Sequence, residues 1–198
     1  MLTDHPREKD PPRSQGLSLP GPQPSGQAKG WVLFDVGGVL IEKPMDFEEM
    51  ARIAGTPGGE EFRNVFSRHR DVYDAGGRAP EFWASVVIDL GQFSPRPETI
   101  ERLIATECRR WAAPSEDIVT YINHLQHAGY KLAILSNAPF ELAGAMRTSE
   151  LGKSFDSMTF SCEIGSCKPH PEAHRAALSA LGACPTTIKF FDDRKENC

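Results

Sequence analysis

The sequence predicts an α/β fold: an open parallel sheet with helices on both faces and a helical insert between its first two strands. Three observations carry this prediction. Short apolar runs recur at Trp31–Phe34, Lys131–Leu135, Met158–Ser161 and Ile188–Phe191. Runs of four or five such residues, bounded by glycine or polar turn residues, read as buried strands. Segments with helical spacing separate the later runs, and strands alternating with helices form parallel βαβ units. Residues 44–113 break that rhythm with a long stretch patterned as helix throughout.

Taken in chain order, residues 1–29 are Pro, Gly, Ser, Gln and charge, with almost no large apolar side chains. Such a segment cannot offset its ordering entropy and is expected to be a disordered tail. The first strand, Trp31–Phe34, ends at Asp35 and is followed by Gly37-Gly38, where the backbone can approach a ligand closely. The insert is broken by Gly58-Gly59, Gly76-Gly77 and Pro95 to Pro97. Glu116 to Ala128 carries Ile118, Val119, Ile122 and Leu125 at helical spacing, and Gly129 supplies the stop. The second strand ends at Ser136-Asn137, and Phe140 to Met146 follows as a helix. Met158–Ser161 is a weaker third strand. Pro171 to Leu181 is a helix with Pro at its start and Gly182 at its end. The fourth strand ends at Asp192-Asp193. The result is a Rossmann-like core over 30–43 and 114–198, with the insert over 44–113 and no internal repeat.

Composition narrows the function classes. Of 198 residues, 39% are hydrophobic and 25% charged, enough for one folded domain. A net charge of -5 without a basic block argues against nucleic acid as partner. No apolar run approaches the ~20 residues that span a bilayer, and the N-terminus lacks an apolar signal core. The five cysteines, Cys108, Cys162, Cys167, Cys184 and Cys198, form no CxxC pair. An odd count without framework spacing predicts reduced thiols and a cytoplasmic location. His170 and His174 have the helical spacing of zinc ligands but no matching cysteine pair, so they read as helix-surface residues.

In open α/β sheets ligands bind beyond the carboxyl ends of the strands. Those ends carry Asp35, Ser136, Asp192 and Asp193, and Lys168 lies in a loop before a helix. Asp35 in that position can act as a nucleophile and form an aspartyl-phosphate. A second carboxylate beside it needs a cation, and Mg2+ suits oxygen ligands, one or two carboxylates and a phosphate. Asp35 and Asp193 are the leading candidate ligands, followed by Asp192 and the Gly37 backbone carbonyl. Lys168 and the metal would neutralise charge on a transferring phosphoryl group, while Ser136 and the backbone N–H at Asn137 would bind its oxygens.

Each residue also has a plain structural reading. Asp35 or Asp192-Asp193 could cap a helix, Ser136-Asn137 could be an ordinary turn, and Lys168 a solvated loop lysine. Their joint appearance at the ends of successive strands favours a site. In the insert, Arg68, His69, Arg70, Tyr73 and Arg78 read as a solvated charged face, with an anion-binding face as the alternative. Phe82, Trp83 and Trp111 read as core.

Phe34-Asp-Val-Gly-Gly-Val-Leu40, Leu135-Ser-Asn137, Lys168-Pro169 and Phe190-Phe-Asp-Asp193 resemble, in order and spacing, the four motifs of the haloacid dehalogenase-like hydrolases. The resemblance spans Trp31 to the end of the chain. It implies Asp35 as nucleophile, Ser136 as phosphate ligand, Lys168 as the charge-balancing base and Asp192 with Asp193 as metal acids. It also implies that the insert is a helical cap that sets substrate choice, with a small phosphorylated metabolite as substrate.

Two departures from the family pattern stand out. Related phosphatases place an acid/base aspartate two residues after the nucleophile; here that residue is Gly37. Its loss removes a contribution of roughly 10²–10⁴-fold. The chain also stops at Cys198, just after the fourth motif, where similar proteins continue into another helix and strand. The expectation is a C-terminally truncated chain with an exposed edge strand. Three functions follow: hydrolysis of a small phosphate ester, metal-independent dehalogenation, and a non-catalytic binding or regulatory domain. The paired acids Asp192-Asp193 oppose the second.

Overall fold

The computed structural model describes residues 28–42, 44–111 and 114–198. Of the disordered tail expected over residues 1–29, residues 1–27 lie outside the described residues, whereas the Lys29 N–H donates to the Gly129 carbonyl at 3.0 Å. In chain order the elements are β1 (Trp31–Phe34), α1 (Phe47–Ala54), α2 (Gly59–Asp74), α3 (Ala79–Asp89), α4 (Pro97–Trp111) and α5 (Glu116–His127). They continue with β2 (Lys131–Ser136), α6 (Phe140–Thr148), β3 (Ser157–Phe160), the one-turn α7 (Ser161–Ile164), α8 (Pro171–Leu181) and β4 (Ile188–Phe191).

The four strands form one sheet in the order β3-β2-β1-β4, and every pairing is parallel. Alternation across the pleat assigns side chains to two faces. Val32, Phe34, Leu132 and Ile134 point to one side, where Ile122 of α5 and Leu142 and Met146 of α6 cover them. Leu33, Ala133 and Leu135 point to the other, against Ala173, Ala177 and Leu181 of α8. The expected α/β sheet with helices on both faces is therefore present. Strand β4 lies at an edge of the sheet, and Phe191, stacked on Phe34, remains partly exposed.

The helix boundaries follow local chemistry. Ser115 caps α5, accepting from the Ile118 N–H, and acidic Glu116 and Asp117 occupy the first turn. Pro171 opens α8, and Gly182 closes it in the left-handed conformation at φ 55°. The third strand ends one residue earlier than the apolar run suggests, because Ser161 turns the chain into α7.

Helices α1 to α4 pack around an apolar cluster of their own, with Met50, Phe62, Tyr73, Trp83, Val86 and Leu103 inside. Phe82 and Trp83 are buried there, while Trp111 joins the sheet-side core. The insert's charged residues do not form one solvated face. Arg78 pairs with Glu81 in the open and His69 with Asp89. Arg70 is instead enclosed between Asp74 and Glu107, with its guanidinium over the Phe66 and Tyr73 rings. Its partner Glu107 is 37 residues away in sequence, too far for helical spacing to reveal. Among the described residues, no helix is long and apolar enough to cross a membrane.

Candidate active site

The parallel register brings the polar strand ends to one level. Phe34 lies opposite Phe191 and Ile134, so Asp35 and Asp192 leave the sheet side by side, with Ser136 one residue further along β2. The Asp35 N–H continues the ladder, donating to the Phe191 carbonyl at 2.9 Å. Lys168 arrives from the loop between α7 and α8. Its Nζ lies 3.0 Å from Asp35 Oδ1 and 2.5 Å from Asp192 Oδ2, with its side chain 1% exposed.

Asn137 holds that lysine in place. Its side-chain amide donates to the Lys168 carbonyl at 2.9 Å, and its Oδ1 accepts the Lys168 N–H at 2.7 Å. This two-way clamp ties the loop after β2 to the loop before α8. Asn137 was expected to act through its backbone N–H; the role of its side chain was not legible in the sequence, since the clamp partner lies 31 residues on.

The two adjacent acids after β4 differ. Asp192 is committed through both oxygens: Oδ2 to Lys168, and Oδ1 to the Arg194 N–H and the Asn197 amide, each at 2.9 Å. Burial alone would raise its pKa, but the hydrogen bonds from Lys168, Arg194 and Asn197 outweigh it and hold the carboxyl below its ordinary value. Asp193 is exposed. Its carboxylate lies directly over Gly38, where an added Cβ would collide with it. Gly38 also sits at φ 80°, in the left-handed region that favours glycine. Gly37 differs: a Cβ there meets nothing within 4 Å, and its backbone stays outside the left-handed region.

Asp35 is buried, and burial pushes its pKa up; Lys168 and the Ser136 hydroxyl oppose that shift. Asp35, Asp192 and Asp193 can each offer a carboxylate oxygen within 4.8 Å of the others, and they are the one such group of three among the described residues. His170 and His174 belong to no such group: His174 packs on Phe190 and pairs with the Asn197 carbonyl. Three carboxylates facing a single ammonium leave an excess of negative charge. With Asp192 already satisfied, the free donors are oxygens of Asp35 and Asp193. Oxygen donors, one or two carboxylates and an open side match what Mg2+ accepts, so the residues present fit that ion.

A buried carboxylate at a strand end, a lysine clamped beside it and an acidic pair one strand away thus meet at one end of the sheet. A family model, haloacid dehalogenase-like hydrolase, matches residues 30–197, and the chain belongs to that family. It is 26% identical to a phosphorylated carbohydrates phosphatase of Thermotoga maritima, over 83% of this chain and 76% of that one. It is 28% identical to the N-acetylmuramic acid 6-phosphate phosphatase of Pseudomonas aeruginosa, over 82% of this chain and 72% of that one. Its fold is similar to that of a haloacid dehalogenase family enzyme from Bacteroides thetaiotaomicron, solved with magnesium and inorganic phosphate. The TM-score is 0.64 at 18% identity, covering 85% of this chain and 87% of that one.

Proposed function

We propose that the protein is a magnesium-dependent phosphatase acting on a small phosphorylated metabolite, a sugar phosphate by preference, through an aspartyl-phosphate on Asp35. The carrying observation is the contact of Lys168 Nζ with both Asp35 and Asp192, beside an exposed Asp193. The two phosphatases to which the chain is similar act on phosphorylated carbohydrates and on N-acetylmuramic acid 6-phosphate, which supports the substrate class.

In this reading an oxygen of Asp35 attacks phosphorus in line with the ester oxygen. The P–O bond to the leaving group breaks, and water then attacks the acyl phosphate to regenerate Asp35 and release phosphate. Lys168 offsets charge on the transferring phosphoryl oxygens, and the Ser136 hydroxyl with the Asn137 N–H binds them. Asp35, Asp193 and the Gly37 carbonyl would hold magnesium, which would supply positive charge to an otherwise anionic site. Asp192 orients Lys168. Helices α1 to α4 act as the cap that excludes water and selects the leaving group. Gly37 leaves no side chain to protonate the leaving oxygen, so good leaving groups are hydrolysed fastest. The five unpaired cysteines fit a reducing, cytoplasmic setting.

Phosphate release from glucose 6-phosphate and from p-nitrophenyl phosphate tests the reading. Wild type with Mg2+ is expected to turn over, and either EDTA or Asp35→Asn to reduce the rate by about 10³-fold or more. Turnover that survives both treatments equally would refute it, and turnover of a 2-haloacid in EDTA would point to dehalogenation instead.

A further inference from the structure

We propose that Ser161 is a positioning residue that holds the helical insert in register with the phosphate-binding loop after β2. Ser161 opens α7, is 1% exposed, and matches none of the four motifs. Its hydroxyl joins two parts of the molecule. It donates to the backbone carbonyl of Asp74 at 2.6 Å and accepts the Ala138 N–H at 2.9 Å. Asp74 is the last residue of α2, so its carbonyl is one of those a helix end leaves without an internal partner. Ala138 follows Asn137 directly and is fully buried. One side chain therefore satisfies two buried backbone groups, one on the insert and one on the site loop.

What lies on each side makes this link more than local packing. On the insert, the Asp74 carboxylate pairs with Arg70, which reaches Glu107 on α4, so the end of α2 is fixed to the rest of the insert. On the sheet side, Ala138 is next to the Asn137 amide that clamps Lys168, and Lys168 contacts Asp35 and Asp192. Two neighbouring contacts seat the same end of α2. A Cβ on Gly76 would come within 3.0 Å of the Cys162 carbonyl, and the Tyr73 hydroxyl donates to Glu141 at 3.1 Å. Ser161 alone among these reaches a backbone group adjoining the phosphate-binding loop. A physical chain of this kind carries coupling only when its links have alternative arrangements; the link that can be cut without touching the reacting atoms is the Ser161 hydroxyl.

The kinetic expectation rests on the phosphatase reading, whereas the docking expectation does not. Ser161→Ala is compared with wild type in two measurements. In backbone hydrogen exchange read by mass spectrometry, residues 74–78 and 136–140 are expected to exchange at least ~10-fold faster in the variant, with α8 unchanged. In steady-state kinetics with Mg2+, kcat/KM for glucose 6-phosphate is expected to fall about 10–100-fold. The fall for acetyl phosphate, whose leaving group is too small to need the insert, is expected to be at least ~10-fold smaller. Unchanged exchange in both segments overturns the link. Equal losses on the two substrates overturn positioning in favour of a purely structural role. Faster exchange in a wild-type and variant pair that hydrolyses neither substrate leaves the link standing and defeats the phosphatase reading. Should Ser161→Ala not fold, Ser161→Cys, which keeps the volume and only a weak donor, carries the same comparisons.

Discussion

Lys168 is the residue around which the site is arranged. It has one ammonium and two carboxylate partners, its main chain is gripped on both sides by Asn137, and almost none of it reaches solvent. Two consecutive aspartates then take opposite tasks: Asp192 is consumed in holding the lysine, and Asp193 stays free over Gly38. Two consecutive glycines differ as sharply. Gly37 has open space and an ordinary backbone conformation, so Gly37→Asp fits without strain and supplies the proton donor that the wild type lacks. Its kcat on a sugar phosphate is expected to rise about 10–100-fold, with a smaller rise on p-nitrophenyl phosphate, whose leaving group needs no proton. Gly38→Ala drives its methyl into the Asp193 carboxylate, and a magnesium titration of activity is expected to show roughly tenfold weaker activation. Equal behaviour of the two substitutions would remove the distinction.

At the scale of elements, the sheet and its flanking helices were readable because burial and local chemistry agree there. Strands β1, β2 and β4 are largely apolar runs that end on or just before a polar residue, and α8 begins at a proline and is capped by a glycine. The gathering of the candidate site's strand-end residues was readable for the same reason, since parallel register converts "end of strand" into "same place". What escaped were the pairings between distant segments. Arg70 looked like part of a charged surface and proved to be enclosed, because its partner on α4 is brought in by tertiary packing. Asn137 was expected to act through its backbone N–H, and the clamp its side chain forms on Lys168 was not foreseen; Asn197 gave no signal at all. The insert's own core has a measurable consequence. Phe62 is fully buried against Phe47 and Trp83, so Phe62→Ala is expected to cost about 3–5 kcal/mol in urea unfolding. A loss below about 1 kcal/mol would show that the insert is not a well-packed body.

Across the whole molecule, buried charge decides how stability responds to pH. In the insert, two carboxylates, Asp74 and Glu107, share the guanidinium of Arg70, and burial raises both their pKa values against its attraction and the weaker pull of Arg194 and Arg110. Acids whose folded pKa is raised bind protons in the native state before the unfolded chain does. Lowering the pH from neutral through their folded pKa values therefore stabilises the fold, until the ordinary carboxylate range near pH ~4 is reached. Asp192 has the opposite sign: its folded pKa is depressed, and its contribution is lost as the pH falls through that lower value. The thermal midpoint of the metal-free protein is thus expected to rise on mild acidification and fall below about pH 4. Glu107→Gln, which mimics the protonated side chain, should flatten the rise; an unaltered slope would assign it to other groups.

The central claim is that Asp35 takes the phosphoryl group. It is tested most directly by acid-quenching the protein during turnover of a phosphate ester with Mg2+ and weighing the peptide that contains residue 35. The mass of one phosphoryl group on that peptide, absent in Asp35→Asn and absent with EDTA, is the expected result. Turnover of the ester with that peptide never labelled, or a label that persists in Asp35→Asn, would contradict it.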